Sequence, residues 1–252
     1  MMKISVIGKK CPQLKEMLQS ENITIYPPEE ADMIIVYGGD GSLLGSERMY
    51  PGVLKYPIRD SETAPLCPLH SLEKQFPLFL ENKLERTRLP KLMATVDGNE
   101  KMFAINDIFL HNRIRTSALR YKVWIDGVLY AREIVGDGLG VATVHGATAY
   151  YRSITRSVFR VGIGLAFSNS TELVNHLVLP ESSVINIKII RGPGELTADN
   201  APDMPLVKDG SECEIRMSDL KAEMAGLNLF MCPECRRLRH QMRREFIAED
   251  RH

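Results

Sequence analysis

A short apolar run that ends in a cluster of glycines constrains the fold of this chain more than any other feature. Met33–Tyr37 is continuously apolar and rich in β-branched residues, which is typical of a strand buried on both faces of a sheet. The run ends at Gly38-Gly39-Asp40-Gly41-Ser42, and the next segment can begin a helix with Ser42 near its cap. A strand, a glycine turn and a helix in this order predict an open α/β sheet.

The glycine turn is also a candidate phosphate-binding site, because ligands of open α/β sheets sit beyond the carboxyl ends of the strands. Gly38, Gly39 and Gly41 carry no Cβ, so backbone N–H groups there can approach phosphate oxygens. Ser42 would join them at the positive end of the helix. Asp40 would repel phosphate unless it accepts a proton from an attacking hydroxyl or helps to place Mg²⁺. A plain tight turn in which Asp40 caps the helix is the alternative.

The character of the sequence changes near residue 90. Residues 1–90 begin with a strand and a helix near Gln13–Gln19, and a second short strand is predicted at Ile23–Tyr26. After the glycine turn, residues 51–90 are rich in proline and are predicted to be irregular, apart from a helix near Ser71–Leu84. These residues are predicted to form an α/β nucleotide- and phosphate-binding domain.

Residues 91–230 contain successive apolar segments separated by Gly, Asn and Asp, which predict a β-rich substrate-binding domain. Asp126-Gly127 indicates a two-residue hairpin turn within it. Residues 231–252 are charged and are predicted to form a helical tail. The predicted fold class is an α/β N-terminal domain with an open, Rossmann-like sheet, joined to a β-rich (all-β) C-terminal domain.

The composition argues against several kinds of partner. Lys plus Arg and Asp plus Glu number 32 each in the 252 residues, so the formal net charge of zero gives no reason to expect nucleic acid. No stretch reaches the roughly 18–20 apolar residues of a membrane-spanning helix, and the N-terminus does not have the pattern of a signal peptide. We therefore expect no nucleic acid, no membrane partner and a cytoplasmic location. The five cysteines, an odd number, suit a reducing compartment.

One cysteine pair has the spacing of metal ligands. Cys232-Pro233-Glu234-Cys235 supplies two thiols, whereas a structural zinc ion needs about four ligands. His240 is the best further candidate in the sequence. Because a single Cys-x-x-Cys pair is a weak signal, we expect no metal and interpret the segment as a turn at the start of a helix. A disulfide-linked or metal-bridged dimer is the alternative.

Four segments in the expected order resemble the signatures of NAD kinases. The first is the glycine turn, which resembles a Gly-Gly-Asp-Gly-Thr signature shared with diacylglycerol and sphingosine kinases. The other three resemble elements of NAD kinases alone. They are Ile105-Asn106-Asp107-Ile108, the segment from Gly136-Asp137-Gly138 to Gly146-Ala147-Thr148-Ala149-Tyr150, and Asn175 with Leu179–Ile185. The chain is therefore identified as a divergent member of the NAD kinase family.

The resemblance implies phosphorylation of the adenosine 2′-hydroxyl of NAD by ATP, with Mg²⁺ assisting, to give NADP. It implies that Asp40 deprotonates the hydroxyl. It also implies an acceptor pocket made by Asn106 at the adenine, Asp107 in place of the family's Glu, Asp137, and the segment Thr148, Ala149 and Tyr150. Asp199-Asn200 may be matched to a late Asp-Gly turn of the family or interpreted as an ordinary turn. A homo-oligomer is expected as well.

Three segments depart from the family pattern. Thr143–Ala147 replaces Thr-Pro-Thr-Gly-Ser, and Arg152–Ser157 replaces Gly-Gly-Pro. Pro57–Glu62 follows the place near Val53–Tyr56 where the resemblance implies a strand, and it lacks the two glycines of the family. Such changes at a pocket wall leave two further hypotheses open. One is a divergent kinase that acts on another nucleotide or a polyol, and the other is a catalytically weak nucleotide-binding sensor. The phosphoryl donor, ATP or polyphosphate, also stays open.

Overall fold

The computed structural model describes residues 2–60 and 67–238. The chain divides into two compact units. Unit 1 consists of Met1–Arg88 together with Ala222–His252, and unit 2 consists of Leu89–Lys221. Unit 2 is therefore continuous in sequence, whereas unit 1 is assembled from two separate stretches of the chain.

Unit 1 begins as a small parallel α/β sheet. Its first elements are β1 (Ile4–Gly8), α1 (Pro12–Ser20), β2 (Met33–Gly38), α2 (Asp40–Met49), β3 (Leu54–Arg59) and α3 (Leu72–Leu80). Strand β2 lies between β1 and β3, and both pairings are parallel. All six residues of β2 are buried, as the unbroken apolar run predicts. Leu14 and Leu18 of α1 are fully buried in the same core.

The proline-rich composition indicated an irregular segment at strand β3, whereas the resemblance implied a strand near Val53–Tyr56, and the structure has a strand there. Pro57 argues against a strand because it cannot donate a ladder hydrogen bond, and Lys55 argues against burial. Nevertheless all six residues of β3 are buried. Lys55 is compensated by Glu47 of α2, with 2.5 Å between Nζ and Oε2. The Lys55–Glu47 ion pair and the parallel pairing with β2 therefore allow a strand to form despite Lys55 and Pro57.

A predicted strand at Ile23–Tyr26 is also wrong. Ile25 makes one isolated parallel bridge with Ile4, and the Tyr26 N–H donates to the Ile4 carbonyl at 2.8 Å. Pro27 and Pro28 follow at once, and a 3₁₀ turn occupies Pro28–Glu30. Because proline has no N–H to continue a ladder, the pairing cannot extend.

The chain returns to unit 1 after unit 2. Strands β4 (Arg86–Val96) and β15 (Glu212–Ala225) both cross the unit boundary, and α5 (Leu227–Phe230) follows. Met224 pairs with Lys55 of β3, and Ala225 belongs to the core of unit 1. The predicted assignment of residues 91–230 to one domain is therefore corrected from Ala222 onward. Of the predicted helical tail at residues 231–252, residues 233–238 are helical, Met231 and Cys232 are not, and residues 239–252 lie outside the described residues.

Unit 2 is built mainly of strands. In order they are β5 (Glu100–Ala104), β6 (Asp107–Asn112), β7 (Leu119–Ile125), β8 (Val128–Gly136), β9 (Gly138–Ala142), β10 (Ile163–Ser168), β11 (His176–Leu179), β12 (Ile185–Arg191), β13 (Gly194–Ala198) and β14 (Leu206–Val207). One helix, α4 (Tyr150–Thr155), follows a 3₁₀ turn at Gly146–Thr148. The predicted hairpin turn at Asp126-Gly127 joins β7 and β8, and both residues have positive φ.

The strands of unit 2 belong to two sheets that share one core. The first has the order β5-β4-β15-β12-β7-β8, and the second has the order β11-β10-β9-β6-β13-β14. Ile108 and Leu110 of β6 are fully buried in this core, as are Ile185 and Ile187 of β12 from the other sheet. In the described residues of both units, no helix is long and apolar enough to cross a membrane.

Candidate functional site

In unit 1 the glycine turn stands where strand β2 ends and helix α2 begins. Gly38 is the last strand residue and is buried, whereas Gly39, Asp40 and Gly41 are exposed. Gly39 caps the helix, which begins at Asp40, so Ser42 lies in the first turn, near the cap as predicted. Ser42 is half-buried, and its N–H donates to the Gly39 carbonyl at 3.1 Å. The turn thus exposes the N-terminal end of a ten-residue helix, where backbone dipoles favour an anion.

The two glycines before Asp40 have different reasons to lack a side chain. A Cβ on Gly38 would lie 2.3 Å from the Ser42 Oγ, so packing within the protein excludes it. A Cβ on Gly39 would meet no atom within 4 Å, and its φ of −103° suits any residue. Nothing in the described protein requires glycine at position 39. The free space above Gly39 therefore fits the close approach of a ligand to the backbone.

The Asp40 carboxylate is held by an arginine that sequence reasoning missed. Arg59 Nη2 lies 3.1 Å from Asp40 Oδ1 and Arg59 Nη1 lies 3.3 Å from Oδ2, which makes a bidentate pair. Arg59 is 7% exposed, whereas the Asp40 side chain is 64% exposed. A buried cation thus orients a carboxylate that faces solvent.

Arg59 is itself fixed from its other side. Its Nε donates to the Phe230 carbonyl at 3.0 Å, and its guanidinium lies 3.9 Å from the centroid of the Phe230 ring. Register within the sheet places Arg59 directly beside Gly38. A correct prediction of β3 would have found Arg59, because the carboxyl ends of adjacent parallel strands meet at one edge.

In unit 2 the predicted acceptor segment is organised by Asp199. Its carboxylate accepts three backbone N–H groups, from Ile105 at 2.8 Å, Asn106 at 2.7 Å and Asp107 at 3.2 Å. The Asp199 N–H donates in return to the Asp107 carbonyl at 2.9 Å. Asp199 has a φ of 51°, which suits the turn that directs its carboxylate onto the start of β6. Asp199 therefore anchors the Asn106 segment, whichever of its two interpretations from the sequence is taken.

A second clamp holds the same segment against the 143–148 turn. Thr143 N–H donates to the Asn106 carbonyl at 2.8 Å, and Thr143 Oγ1 donates to the Ile105 carbonyl at 2.6 Å. Thr143 Oγ1 also accepts the Gly146 N–H at 3.1 Å. A Cβ on Gly146 would lie 2.0 Å from the Asn106 carbonyl oxygen. The structure therefore brings the Asn106 and Thr148 segments together, as the sequence predicts.

Asp107 is the most buried of the predicted substrate-binding residues, at 7% exposed. Its Oδ2 is enclosed without a hydrogen-bond partner among the described residues, while the backbone N–H of Tyr150 donates to the carboxyl group. Burial, followed by the charge of Asp199, raises the pKa of Asp107 to about 7. Burial also raises the pKa of Asp199, although its three N–H donors and the charge of Lys91 oppose that shift.

The other members of the segment are more accessible. Thr148 and Tyr150 are exposed, and Asn106 and Ala149 are half-buried. The Tyr150 ring packs edge-on against Phe109, with 4.7 Å between centroids, and 5.6 Å from the ring of His111. Phe109 and His111 share one face of β6 with Asp107, because strand residues two apart point the same way. Burial lowers the pKa of His111, which favours a neutral ring in this aromatic group.

Asp137 is not brought together with Asp107. Asp107 pairs with Ala142 and His111 pairs with Gly138, so Asp137 lies at the opposite end of β6. Asp107 and His111 are four residues apart on the strand, which corresponds to about 13 Å. The Asp137 carboxylate instead accepts the side-chain amide of Asn169 at 2.8 Å. Contact between substrate and both carboxylates would require a ligand that extends along the strand.

Sequence comparison finds NAD kinases across most of the chain. NAD kinase 2 of Halalkalibacterium halodurans is 24% identical over 257 aligned residues, which cover 93% of this chain and 91% of that protein. The NAD kinase of Hyphomonas neptunium is 30% identical over 180 residues, which cover 65% of this chain and 66% of that protein. No family model matches the chain.

Two solved structures share the fold. Yeast NADH kinase complexed with NADH has a TM-score of 0.74 at 18% identity, covering 90% of this chain and 86% of that one. An NAD kinase from Archaeoglobus fulgidus in complex with ATP has a TM-score of 0.72 at 21% identity, covering 93% and 99%. The fold, the glycine turn with its carboxylate and the named relatives define a phosphotransferase. Within that class, the chain belongs to the NAD kinase family.

Proposed function

We propose that this protein transfers the γ-phosphoryl group of ATP to the adenosine 2′-hydroxyl of NAD and so forms NADP. The observation that carries the proposal is the exposed Asp40 carboxylate, held by the buried Arg59 at the N-terminus of helix α2. The relatives support NAD or NADH as the acceptor and a solved neighbour binds ATP, so the hypotheses of another nucleotide, a polyol or a sensor are not favoured.

Unit 1 supplies the groups that act on the phosphate and on the proton. The backbone at Gly39 and the positive end of α2 bind phosphate oxygens. Phosphate has room to approach there, because no described protein atom fills the space above Gly39. Asp40 accepts the proton of the attacking hydroxyl, a role that contributes about 10²–10⁴-fold to rate. Arg59 keeps the Asp40 carboxylate in one orientation. Less entropy is therefore lost when the carboxylate is positioned to accept the proton.

Mg²⁺ is a further part of this proposal. The exposed Asp40 carboxylate is an oxygen ligand of the type that Mg²⁺ accepts beside phosphates and water. When bound, Mg²⁺ neutralises charge that develops on the transferring phosphoryl group.

Unit 2 supplies recognition of the acceptor. The Asn106 side chain offers an amide that can pair with an adenine edge, and the exposed Tyr150 ring offers an apolar face beside it. Asp107 lies under this surface and binds the Tyr150 N–H, so in this structure it positions the segment. Contact of Asp107 and Asp137 with substrate stays a prediction, as do a homo-oligomeric state and a cytoplasmic location.

The proposal is tested by measuring NADP formation with the purified full chain, ATP and Mg²⁺, and by repeating the assay with Asp40→Asn. We expect NADP with the wild-type chain and a loss of about 10³-fold in kcat with Asp40→Asn, at unchanged binding of ATP. Asp32→Asn is a matched control, since Asp32 is an exposed carboxylate of the same unit, outside the turn. An Asp40→Asn variant with normal kcat would rule out the proposed role.

The acceptor is tested separately by a panel of NAD, NADH, other nucleotides and polyols with labelled ATP. NAD or NADH should give the highest kcat/KM, because the Asn106 and Tyr150 surface is suited to adenine. A higher kcat/KM for a polyol or for a nucleotide without adenine would contradict this assignment. Polyphosphate in place of ATP tests the donor in the same assay.

A further inference from the structure

Four potential metal ligands converge in unit 1, away from the glycine turn in sequence. Cys67, His70, Cys232 and Cys235 place one ligand atom each within 4.8 Å of all the others. Cys67 precedes a 3₁₀ turn at Pro68–His70, and His70 is the last residue of that turn. Cys232 immediately precedes the helical residues 233–238, and Cys235 lies in their first turn. Both pairs have the i, i+3 spacing that is common in zinc sites.

The separations among Cys67, His70 and Cys235 match those between ligands of a single tetrahedral ion. Zn–S bonds of about 2.3 Å and Zn–N bonds of about 2.0–2.1 Å place two sulfurs about 3.8 Å apart and a sulfur and a nitrogen about 3.5 Å apart. The Cys67 and Cys235 sulfurs are 3.6 Å apart. His70 Nδ1 lies 3.3 Å from the Cys67 sulfur and 3.6 Å from the Cys235 sulfur.

The surroundings are those of bound thiolates. Cys67, Cys232 and Cys235 are buried, and all five cysteines of the chain are free thiols. The Cys67 N–H donates to the Cys235 sulfur at 3.3 Å. The backbone N–H groups of Glu234 and Cys235 donate to the Cys232 sulfur. Such N–H···S bonds support the ligands of a metal site from outside its coordination sphere.

We propose that Cys67, His70, Cys232 and Cys235 bind one Zn²⁺ ion as a closed structural site. Three sulfurs and one imidazole nitrogen are a ligand set of structural zinc, and four protein ligands leave no open position for catalysis. The expectation of no metal, drawn from the sequence, is replaced by this proposal. The earlier candidate ligand His240 lies outside the described residues.

The ion would join two segments of unit 1 that are 168 residues apart in sequence. Cys232 follows two residues after Phe230, whose carbonyl and ring hold Arg59. Arg59 in turn pairs with Asp40. A zinc ion at this position would therefore fix the end of α5 beneath the arginine that orients the proposed catalytic carboxylate.

The first test is the metal content and coordination of the full wild-type chain. Protein purified without chelators should contain about one zinc ion per chain. Replacement of zinc by Co²⁺ should give the intense visible bands of tetrahedral cobalt together with thiolate-to-cobalt charge transfer. These readouts do not depend on kinase activity, so they remain decisive if the proposed reaction is wrong.

The second test separates ligands from ordinary buried cysteines. Cys67→Ser, Cys232→Ser and Cys235→Ser should each weaken zinc retention against a chelator by more than about tenfold. Cys11→Ser is the matched control, because Cys11 is a buried thiol of the same unit outside the cluster, and it should retain zinc. His70→Cys should still bind the metal ion, and its cobalt spectrum should shift toward that of a site with four sulfur ligands.

The proposal is overturned by wild-type chain that is reduced, zinc-replete and folded, and yet holds no stoichiometric zinc and gives no tetrahedral cobalt spectrum. A disulfide among Cys67, Cys232 and Cys235 in protein isolated without oxygen would overturn it equally. If a variant fails to fold, the zinc content and the cobalt spectrum of the wild-type chain decide whether the site exists.

Discussion

The glycine turn of unit 1 and the Asn106 segment of unit 2 use carboxylates in opposite ways. Asp40 is 64% exposed and its described partner is one arginine. Asp107 is 7% exposed, and Asp199 accepts three backbone N–H groups. The first carboxylate faces solvent, where the proposed reaction needs it, whereas the other two hold the backbone in place.

This difference separates activity from stability. Asp40→Asn keeps an oxygen acceptor for the buried Arg59 but removes its charge partner, so we expect a large loss of turnover together with a smaller loss of stability. Removing Asp199 would leave three N–H groups without an acceptor, so its loss should affect folding first. Substitutions in the two regions should therefore be distinguishable by comparing kcat with the free energy of unfolding.

The largest expected effect on stability comes from Asp199→Ala. The variant removes the acceptor of the N–H groups at residues 105–107 and should lower the free energy of unfolding by about 3 kcal/mol. Urea unfolding measures this change. Asp203→Ala is the control, since Asp203 is an exposed carboxylate a few residues further on. Equal stabilities of the two variants would remove the proposed contrast between anchoring and displayed carboxylates.

A smaller effect is expected from pH. The pKa of Asp107 rises from an ordinary value of 3.8 to about 7, so the folded chain binds this proton more tightly than the unfolded chain. Its contribution to the free energy of unfolding is complete below pH 4 and is lost as pH rises through about 7. About two of these pKa units lie between pH 5 and pH 8, so over that interval we expect a loss of about 2–3 kcal/mol that is absent in Asp107→Asn.

The pH prediction is measured by urea unfolding of both proteins at pH 5 and pH 8. Asp107→Asn keeps the shape of the side chain without its charge, so it should gain stability relative to wild type at the higher pH. A wild-type chain that loses no more stability than the variant between these pH values would show that Asp107 does not titrate as described.

The smallest effect on stability is expected within the turn itself. Gly39→Ala places a methyl group in open space and should change the free energy of unfolding by less than about 0.5 kcal/mol. It should still raise the KM for ATP, because the methyl group meets the incoming phosphate. Gly38→Ala should instead destabilise by about 1–2 kcal/mol, through the clash with Ser42. Unchanged ATP kinetics in Gly39→Ala would argue against phosphate binding at this position.

The sequence predicted elements whose local pattern agrees with their environment. Met33–Tyr37 is uniformly apolar and is buried on every residue, and Asp126-Gly127 has the residues that its turn requires. Strand β3 could not be predicted in this way. Its burial depends on the Lys55–Glu47 pair and on neighbouring strands, which no local pattern records.

The candidate site was predicted to a similar extent. The Asn106 and Thr148 segments lie together as the resemblance implied, but Arg59 was missed because the strand implied near Val53–Tyr56 ended short of it. The proposed metal cluster was missed because its two halves are 168 residues apart. A signal was nevertheless present, since Cys67-Pro68-Leu69-His70 and Cys232-Pro233-Glu234-Cys235 share the form Cys-Pro-x-ligand.

The division of unit 1 between two stretches of sequence has a consequence for synthesis on the ribosome. Unit 2 is contiguous, so all of its strands have been translated by residue 221. Unit 1 must wait for β15 to deliver Met224 beside Lys55, and for Phe230 to reach Arg59. Between residues 88 and 230 the ribosome adds 142 residues, so translation at about 5–20 residues per second makes that wait about 7–28 seconds. The central unit is thus complete first, and the arginine that holds the carboxylate of the glycine turn acquires its Phe230 partner last.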